Sequence, residues 1–145
     1  MKRVPGLRYG VLDELLGYPL RRAQLAMFDA FDEATRGLRM TPPRFTAMVV
    51  IGANPGLSQT LLGRVLGIAR SGAMLMTDLL EERGLVERRH LPEDGRAWGL
   101  HLTPQGARLV ERMKRRVMAS DLKKATILSA KERRELLRLL EKLSK

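Results

Sequence analysis

The stretch that decides the fold is Ser58-Gln59-Thr60-Leu61-Leu62-Gly63-Arg64-Val65-Leu66-Gly67-Ile68-Ala69-Arg70-Ser71-Gly72-Ala73-Met74-Leu75-Met76-Thr77-Asp78-Leu79-Leu80-Glu81-Glu82-Arg83-Gly84. Ser58 is a capping residue type, and Leu61, Leu62, Val65 and Leu66 follow at the spacing of one helical face, so a short helix is expected over 58–66 with Gly67 ending it. Only residues 68–70 separate it from a second helix, which Ser71 is expected to cap and which runs to Arg83 before Gly84 stops it. Its buried stripe reads as Ala73, Met76, Thr77 and Leu80, leaving Gly72, Met74, Leu75, Asp78 and Leu79 on the other side.

Directly downstream, residues 86–90 read as a strand, Leu91-Pro92-Glu93-Asp94-Gly95 as a turn and residues 97–102 as a returning strand, a β-hairpin whose loop ends at Arg96. Two short helices in tight succession, then a hairpin with a basic tip, suit a reader of duplex DNA. The second helix enters the major groove, and the hairpin sets a basic residue in the minor groove or on its phosphates.

Working outward, residues 1–10 read as an arm, and Val11, Leu12, Leu15 and Leu16 precede a helix expected to start near Pro19. Leu25, Phe28, Phe31 and Thr35 line one of its faces, and Gly37 closes it. Thr41 followed by Pro42 reads as a cap and first helical residue; Phe45, Met48, Val49 and Gly52 follow at helical spacing up to the Asn54-Pro55-Gly56 turn. Beyond the hairpin, Thr103-Pro104 opens a long helix to about Lys123 carrying Leu109, Val110, Met113, Val117 and Met118. Ser129-x-x-Glu132 is a capping box for a last helix presenting Leu136, Leu137, Leu140 and Leu143. The expected fold is mainly α, about six helices with a small β-hairpin wing, a winged helix-turn-helix. Residues 1–40 form an N-terminal arm and helix, 41–104 the winged helix-turn-helix DNA-binding domain and 105–145 the C-terminal helices.

Composition narrows the chemistry. The 145 residues suit a single domain, and 27 Lys plus Arg against 16 Asp plus Glu, net +11, favour a polyanion as partner. The absence of cysteine excludes disulfides, zinc fingers, iron–sulfur clusters and thiol-based sensing, and the two histidines, His90 and His101, have no metal-ligand spacing. Neither metal, cofactor nor enzymatic activity is expected. No apolar run approaches the roughly 20 residues of a membrane span, and Met1-Lys2-Arg3 meets Pro5 and Gly6 rather than the apolar core of a secretory signal, so a cytoplasmic protein, on the nucleoid when bound to DNA, is expected. The charge is uneven: residues 1–57 hold 8 basic and 5 acidic groups, 58–102 hold 6 and 6, and 103–145 hold 13 and 5. The reading segment is therefore neutral, and the C-terminal excess acts in long-range steering.

The chain resembles the MarR family of transcription regulators over nearly its whole length. The resemblance lies in Leu20-Arg21-Arg22-Ala23, Thr41-Pro42-Pro43-Arg44-Phe45, Pro55-Gly56-Leu57-Ser58-Gln59 and Leu66-Gly67-Ile68. More specific are Leu80-Glu81-Glu82-Arg83-Gly84-Leu85-Val86-Glu87-Arg88-Arg89, the wing Pro92-Glu93-Asp94-Gly95-Arg96-Ala97, and Leu100-His101-Leu102-Thr103-Pro104-Gln105-Gly106. It implies a homodimer, dimerising through the N-terminal helix of residues 1–40 and the C-terminal helices of 105–145, on a pseudo-palindromic double-stranded DNA operator, and a repressor released by a small, often aromatic or phenolic, effector. It also places Ser71 and Gly72 at the start of the recognition helix, Arg96 as the wing arginine probing the minor groove and Asp94 as its orienting partner. Ala69, Gly72 and Gly95 depart from residues common in the family, an acidic residue at 69, a hydroxyl at 72 and a second basic residue at 95; the last two remove potential DNA contacts. A winged-helix module serving protein interaction without specific DNA readout is the alternative.

On the residues themselves, the free amides at Ser58 and Gln59 and the side chains of Arg64 and Arg70 are expected at phosphates, and Leu75 at thymine methyl groups unless the helical phase differs. Arg88 and Arg89 alternate on their strand, so one of them, taken as Arg89, meets DNA. Asp78 would repel phosphate and is assigned to a local ion pair, and His101 to a surface or pairing role. Met27, Phe45 and Met48 are the candidates to border an effector cavity between the dimer arms and the reading domain.

Overall fold

The computed structural model describes residues 4–91 and 94–145, with the backbone alone at residues 91 and 94–97. Pro92 and Glu93 of the expected turn and the first three residues of the arm lie outside the described residues. The chain forms two compact units, residues 37–115 and residues 1–36 with 116–145.

The first unit contains α2 (Pro42–Ala53), α3 (Gln59–Leu66), α4 (Arg70–Glu82), strands β1 (Val86–Leu91) and β2 (Asp94–Leu102), and the beginning of α5 (Pro104–Lys124). The strands pair antiparallel with Val86 opposite Leu102, Arg88 opposite Leu100 and His90 opposite Trp98. Leu57 adds a single bridge to Leu100, whose N–H donates to the Leu57 carbonyl at 2.9 Å. The hairpin is thereby tied to the turn before α3. Met48, Ile51, Leu62, Leu80, Leu85, Val86, Leu100 and Met113 are buried in the core.

Two glycines fix how the elements join. Gly84 adopts φ 64°, the left-handed geometry that ends α4, and the Leu85 N–H then bonds back to the Leu80 carbonyl at 2.9 Å. Gly106, in the first turn of α5, is pressed against the Leu85 backbone: a Cβ there would stand 1.9 Å from the Leu85 carbonyl oxygen. Thr103 completes the joint, its Oγ1 donating to the Gly84 carbonyl at 2.6 Å and accepting the Gly106 N–H at 3.0 Å. The cap expected from Thr103-Pro104 is therefore present. Thr41 precedes α2 in extended conformation but makes no side-chain cap; Pro42 at the helix start lacks an N–H in any case.

The second unit holds 3₁₀ turns at Gly10–Asp13 and Ala125–Ile127, α1 (Gly17–Ala34), the remainder of α5 and α6 (Ala130–Leu143). Helix α1 begins two residues before Pro19, which sits in the first turn where its missing N–H costs nothing. Phe31 and Thr35 are buried as the spacing predicts, with Thr35 Oγ1 donating to the Phe31 carbonyl at 2.9 Å, whereas Phe28 is exposed. Ser120 Oγ on α5 donates to the Ala30 carbonyl of α1 at 2.9 Å. The Ser129–Glu132 capping box of α6 forms as expected. Leu136, Leu137, Leu139, Leu140 and Leu143 are all exposed along that helix, as are Met118, Leu122 and Ile127 before it. An apolar surface of this extent is characteristic of a subunit interface.

Candidate nucleic-acid interface

Helices α3 and α4 form the helix-turn-helix. Ser58 caps α3, its Oγ accepting the Leu61 N–H at 3.3 Å, and Gly67 ends it at φ 64°. Buried Gly63 lets the helices close up: a Cβ there would lie 3.2 Å from the Ile68 carbonyl oxygen and 3.4 Å from the Ala73 Cβ. Leu62 is the buried member of α3, while Leu61 and Val65, expected on the same apolar side, are exposed. Two leucine-led i,i+4 pairs run along this short helix, and spacing alone does not say which faces inward.

Helix α4 keeps the expected phase. Ala73, Thr77 and Leu80 are fully buried, and the Thr77 hydroxyl is satisfied by the Ala73 carbonyl at 2.8 Å. Its outward side carries exposed Arg70, Ser71, Met74 and Leu75, with Gly72, Asp78 and Leu79 half-buried. The cap expected from Ser71 lies instead at Ala69, which is extended and offers no side-chain acceptor. Ser71 thus stands inside the first turn, and the chain N–H groups at 70–72 precede the first intrahelical bond, made by the Ala73 N–H to the Ala69 carbonyl at 3.0 Å. With no acidic residue in that turn, these donors form an anion-attracting helix end.

The wing's alternation separates Arg88 from Arg89. Arg88 lies on the face shared with buried Val86 and Leu100 and pairs with two carboxylates of α4, Asp78 at 2.5 Å and Glu81. The local ion pair expected for Asp78 is this one. Arg89 points from the opposite face and pairs with Glu87. Further along the Arg88 face, the rings of His90 and Trp98 stack across the strands, centroids 3.7 Å apart at 35°. Nothing in the single-sequence pattern marks this pair, because it requires the hairpin register. His101 is half-buried on the face opposite Leu100 and Leu102.

Arg64 is exposed on the last turn of α3, and neither Arg64 nor Arg70 has a carboxylate partner among the described residues. Gln59 is half-buried, its Nε2 atom buried without an acceptor among the described residues. The side chains of Asp94 and Arg96, and that of Ala97 beside them, lie outside the described residues; the backbone of residues 94–97 continues β2. Of the residues considered for an effector, Met27 is half-buried on α1 and Phe45 half-buried on α2, while Met48 on α2 has no exposed surface and packs in the core.

Arg83 was not singled out by its sequence position. From the end of α4 its guanidinium donates to the carbonyls of Arg39 at 2.7 Å and Leu38 at 2.9 Å, bracing the segment before α2, where Arg39 has φ 49°. Burial, and behind it the charges of Arg44 and Arg39, push this guanidinium below its ordinary pKa. Among the described residues, no group of His, Asp and Glu side chains is arranged to hold a metal ion, and no helix is long and apolar enough to cross a membrane.

Residues 40–97, the segment from the end of the Arg39 loop to the wing, match the family model described as MarR family. A putative transcriptional regulatory protein for the hcr operon of Thauera aromatica is 37% identical over 138 residues, covering 94% of this chain and 83% of that protein. The HTH-type transcriptional repressor Rv2887 of Mycobacterium tuberculosis is 31% identical over 131 residues, covering 90% and 94%; its structure with salicylic acid superimposes with a TM-score of 0.70, covering 89% and 96%. The repressor CouR bound to a 23-mer DNA duplex matches with a TM-score of 0.88 at 36% identity, covering 96% and 99%, and CouR bound to p-coumaroyl-CoA matches at 0.88 and 35%, covering 96% and 98%. Family model, full-length relatives and the helix-turn-helix with its wing agree, and the chain belongs to the MarR family of winged-helix transcription regulators.

Proposed function

We propose that this regulator is a homodimeric repressor that reads a pseudo-palindromic operator with α4 and the wing, and that an aromatic acid or its thioester releases it. The outward side of α4 carries the reading: an uncapped helix end with free amides at 70–72, together with exposed Arg64 and Arg70, which have no carboxylate partner among the described residues. Support comes from CouR, 36% identical and bound to duplex DNA. In this assignment the amides of Ser58 and Gln59, with Arg64 and Arg70, hold phosphates. Ser71 and Gly72 approach the base edges, and Arg96, oriented by Asp94, enters the minor groove. Arg89 exchanges Glu87 for a phosphate on docking.

The exposed leucines of α6 and the apolar residues of α5 supply the surface for a second copy, as a palindromic site requires. The effector class follows the relatives, CouR with p-coumaroyl-CoA and Rv2887 with salicylic acid. Phe45, half-buried on α2, is the side chain of the reading unit assigned to it. A ligand that prefers a dimer with misplaced reading helices draws the population off DNA.

The test is titration of a duplex from upstream of the gene, at two salt concentrations, against random duplex. Sequence-dependent, salt-sensitive binding is expected, with Arg96→Ala about tenfold weaker. Aromatic acids and their CoA thioesters are then added, and one of them is expected to dissociate the complex. Equal affinity for random duplex, or a monomer at micromolar concentration, would overturn the reading and favour a protein-interaction module.

A further inference from the structure

The reading helix is poor in groups that hydrogen-bond to bases. Across Arg70–Glu82 there is no Asn, Gln or Lys, and Arg70 is the only arginine. Thr77 is buried on the Ala73 carbonyl, Asp78 is held by Arg88 and Arg83, just beyond the helix, is engaged with two backbone carbonyls. Between Arg70 at its start and Glu82 at its end, the large exposed side chains of the helix are apolar: Leu75 is 61% exposed and Met74 52%.

The major groove offers one apolar feature, the C5-methyl group of thymine, which is absent from cytosine and from uracil. We infer that the operator is read chiefly through thymine methyl groups, with Leu75 as the specificity-determining residue and Met74 beside it. The inference rests on the DNA-reading function proposed above.

Gly72 is a second and independent pointer. It lies in a helix, with no positive φ, and a Cβ added there would meet nothing nearer than Ile68 Cδ1 at 3.5 Å, an ordinary contact. Packing therefore does not require glycine, although glycine weakens a helix relative to alanine. What its bare backbone permits is close approach of the helix to a ligand, the condition for short apolar contacts at the floor of a groove. Arg64 and Arg70, which have no carboxylate partner among the described residues, supply charge complementary to backbone phosphates.

The experiment begins with selection of duplexes from a randomised library by the full-length chain. Each thymine of the selected site is then replaced singly by deoxyuridine, which deletes only the methyl group. At one or two thymines per half-site, uracil is expected to lower affinity about fourfold, the scale of one buried methyl. Cytosine at such a site should bind weakly, and 5-methylcytosine should recover part of the loss. Leu75→Ala is expected to fold normally, because the side chain is exposed, and to bind thymine and uracil sites equally. Gly72→Ala should weaken specific binding without lowering the melting temperature.

A selected consensus whose affinity is indifferent to uracil at every thymine would overturn the inference while leaving the DNA-reading function standing. So would Leu75→Ala retaining full discrimination. Failure to select any consensus would overturn both together.

Discussion

The Arg88 guanidinium of the wing stands 2.5 Å from the Asp78 carboxylate of the reading helix and also engages Glu81. The Arg88 N–H adds a bond to Glu81 Oε1 at 3.2 Å. One side chain therefore joins α4 to β1 and offsets one of the two negative charges that Asp78 and Glu81 place on α4. As stability the pair is modest, because Asp78 is 44% exposed and water screens it. Its larger consequence is electrostatic, on the DNA-reading role proposed for α4. Arg88→Ala is expected to weaken DNA binding about tenfold at low salt, with the deficit shrinking as ionic strength rises. Adding Asp78→Asn and Glu81→Gln should restore most of it. Anisotropy titrations of the three variants check this; an Arg88→Ala affinity equal to wild type rejects the shielding role.

The contact between Gly106 and the Leu85 carbonyl predicts the largest effect on stability. The clash is with backbone, so no side-chain rotation relieves it. Gly106→Ala should cost about 3 kcal/mol, read as a lower urea midpoint, the upper end of the usual range for overpacking because the neighbour is backbone. Gly72→Ala, with only van der Waals neighbours, is the control and should not lower the midpoint.

The capping box of α6 gives a pH dependence. Hydrogen bonds from the Ser129 hydroxyl, and then from its backbone N–H, hold the Glu132 carboxyl below its ordinary value of 4.5. A depressed carboxylate contributes stability that is fully present above the ordinary value and is lost as pH falls through the depressed one. Helix α6 should therefore fray selectively on acidification below about pH 4.5. Ser129→Ala should return the Glu132 titration, followed by carboxyl NMR, toward the ordinary range; an unmoved titration would reject the cap as its cause.

Trp98 is the only tryptophan of the chain and stacks on His90 on the face of the wing that Arg88 uses to reach α4. Its emission is expected to shift when specific duplex is added, in step with anisotropy. His90→Ala should alter the emission of the free protein. A wing insensitive to DNA would leave the spectrum of the wild type unchanged throughout the titration.

The residues differ in how legible they were. The phase of α4 was readable because Ala73, Thr77 and Leu80 are separated from Met74 and Leu75 by a full change of face over more than three turns. Helix α3 was too short for this, and its two interleaved i,i+4 pairs, Leu61 with Val65 and Leu62 with Leu66, satisfied the same spacing until packing chose Leu62. Ser71 has the chemistry of a cap, but Gly67 turns the chain so that Ala69 takes that position. The partners of Arg83 and Trp98 depend on contacts over 44 residues and on strand register, and neither leaves a periodic trace. Arg88 was half legible: alternation separated it from Arg89, but only the fold shows which face meets α4.

Because α4 packs through Ala73, Thr77 and Leu80 and presents Arg70, Ser71, Met74 and Leu75 outward, two sets of side chains divide its tasks without overlap. The outward four are therefore an exchangeable cassette. A library randomised at those positions alone would retarget the regulator to new promoters while its scaffold, melting behaviour and ligand response stay as they are, which makes this helix a natural starting point for building independent genetic switches.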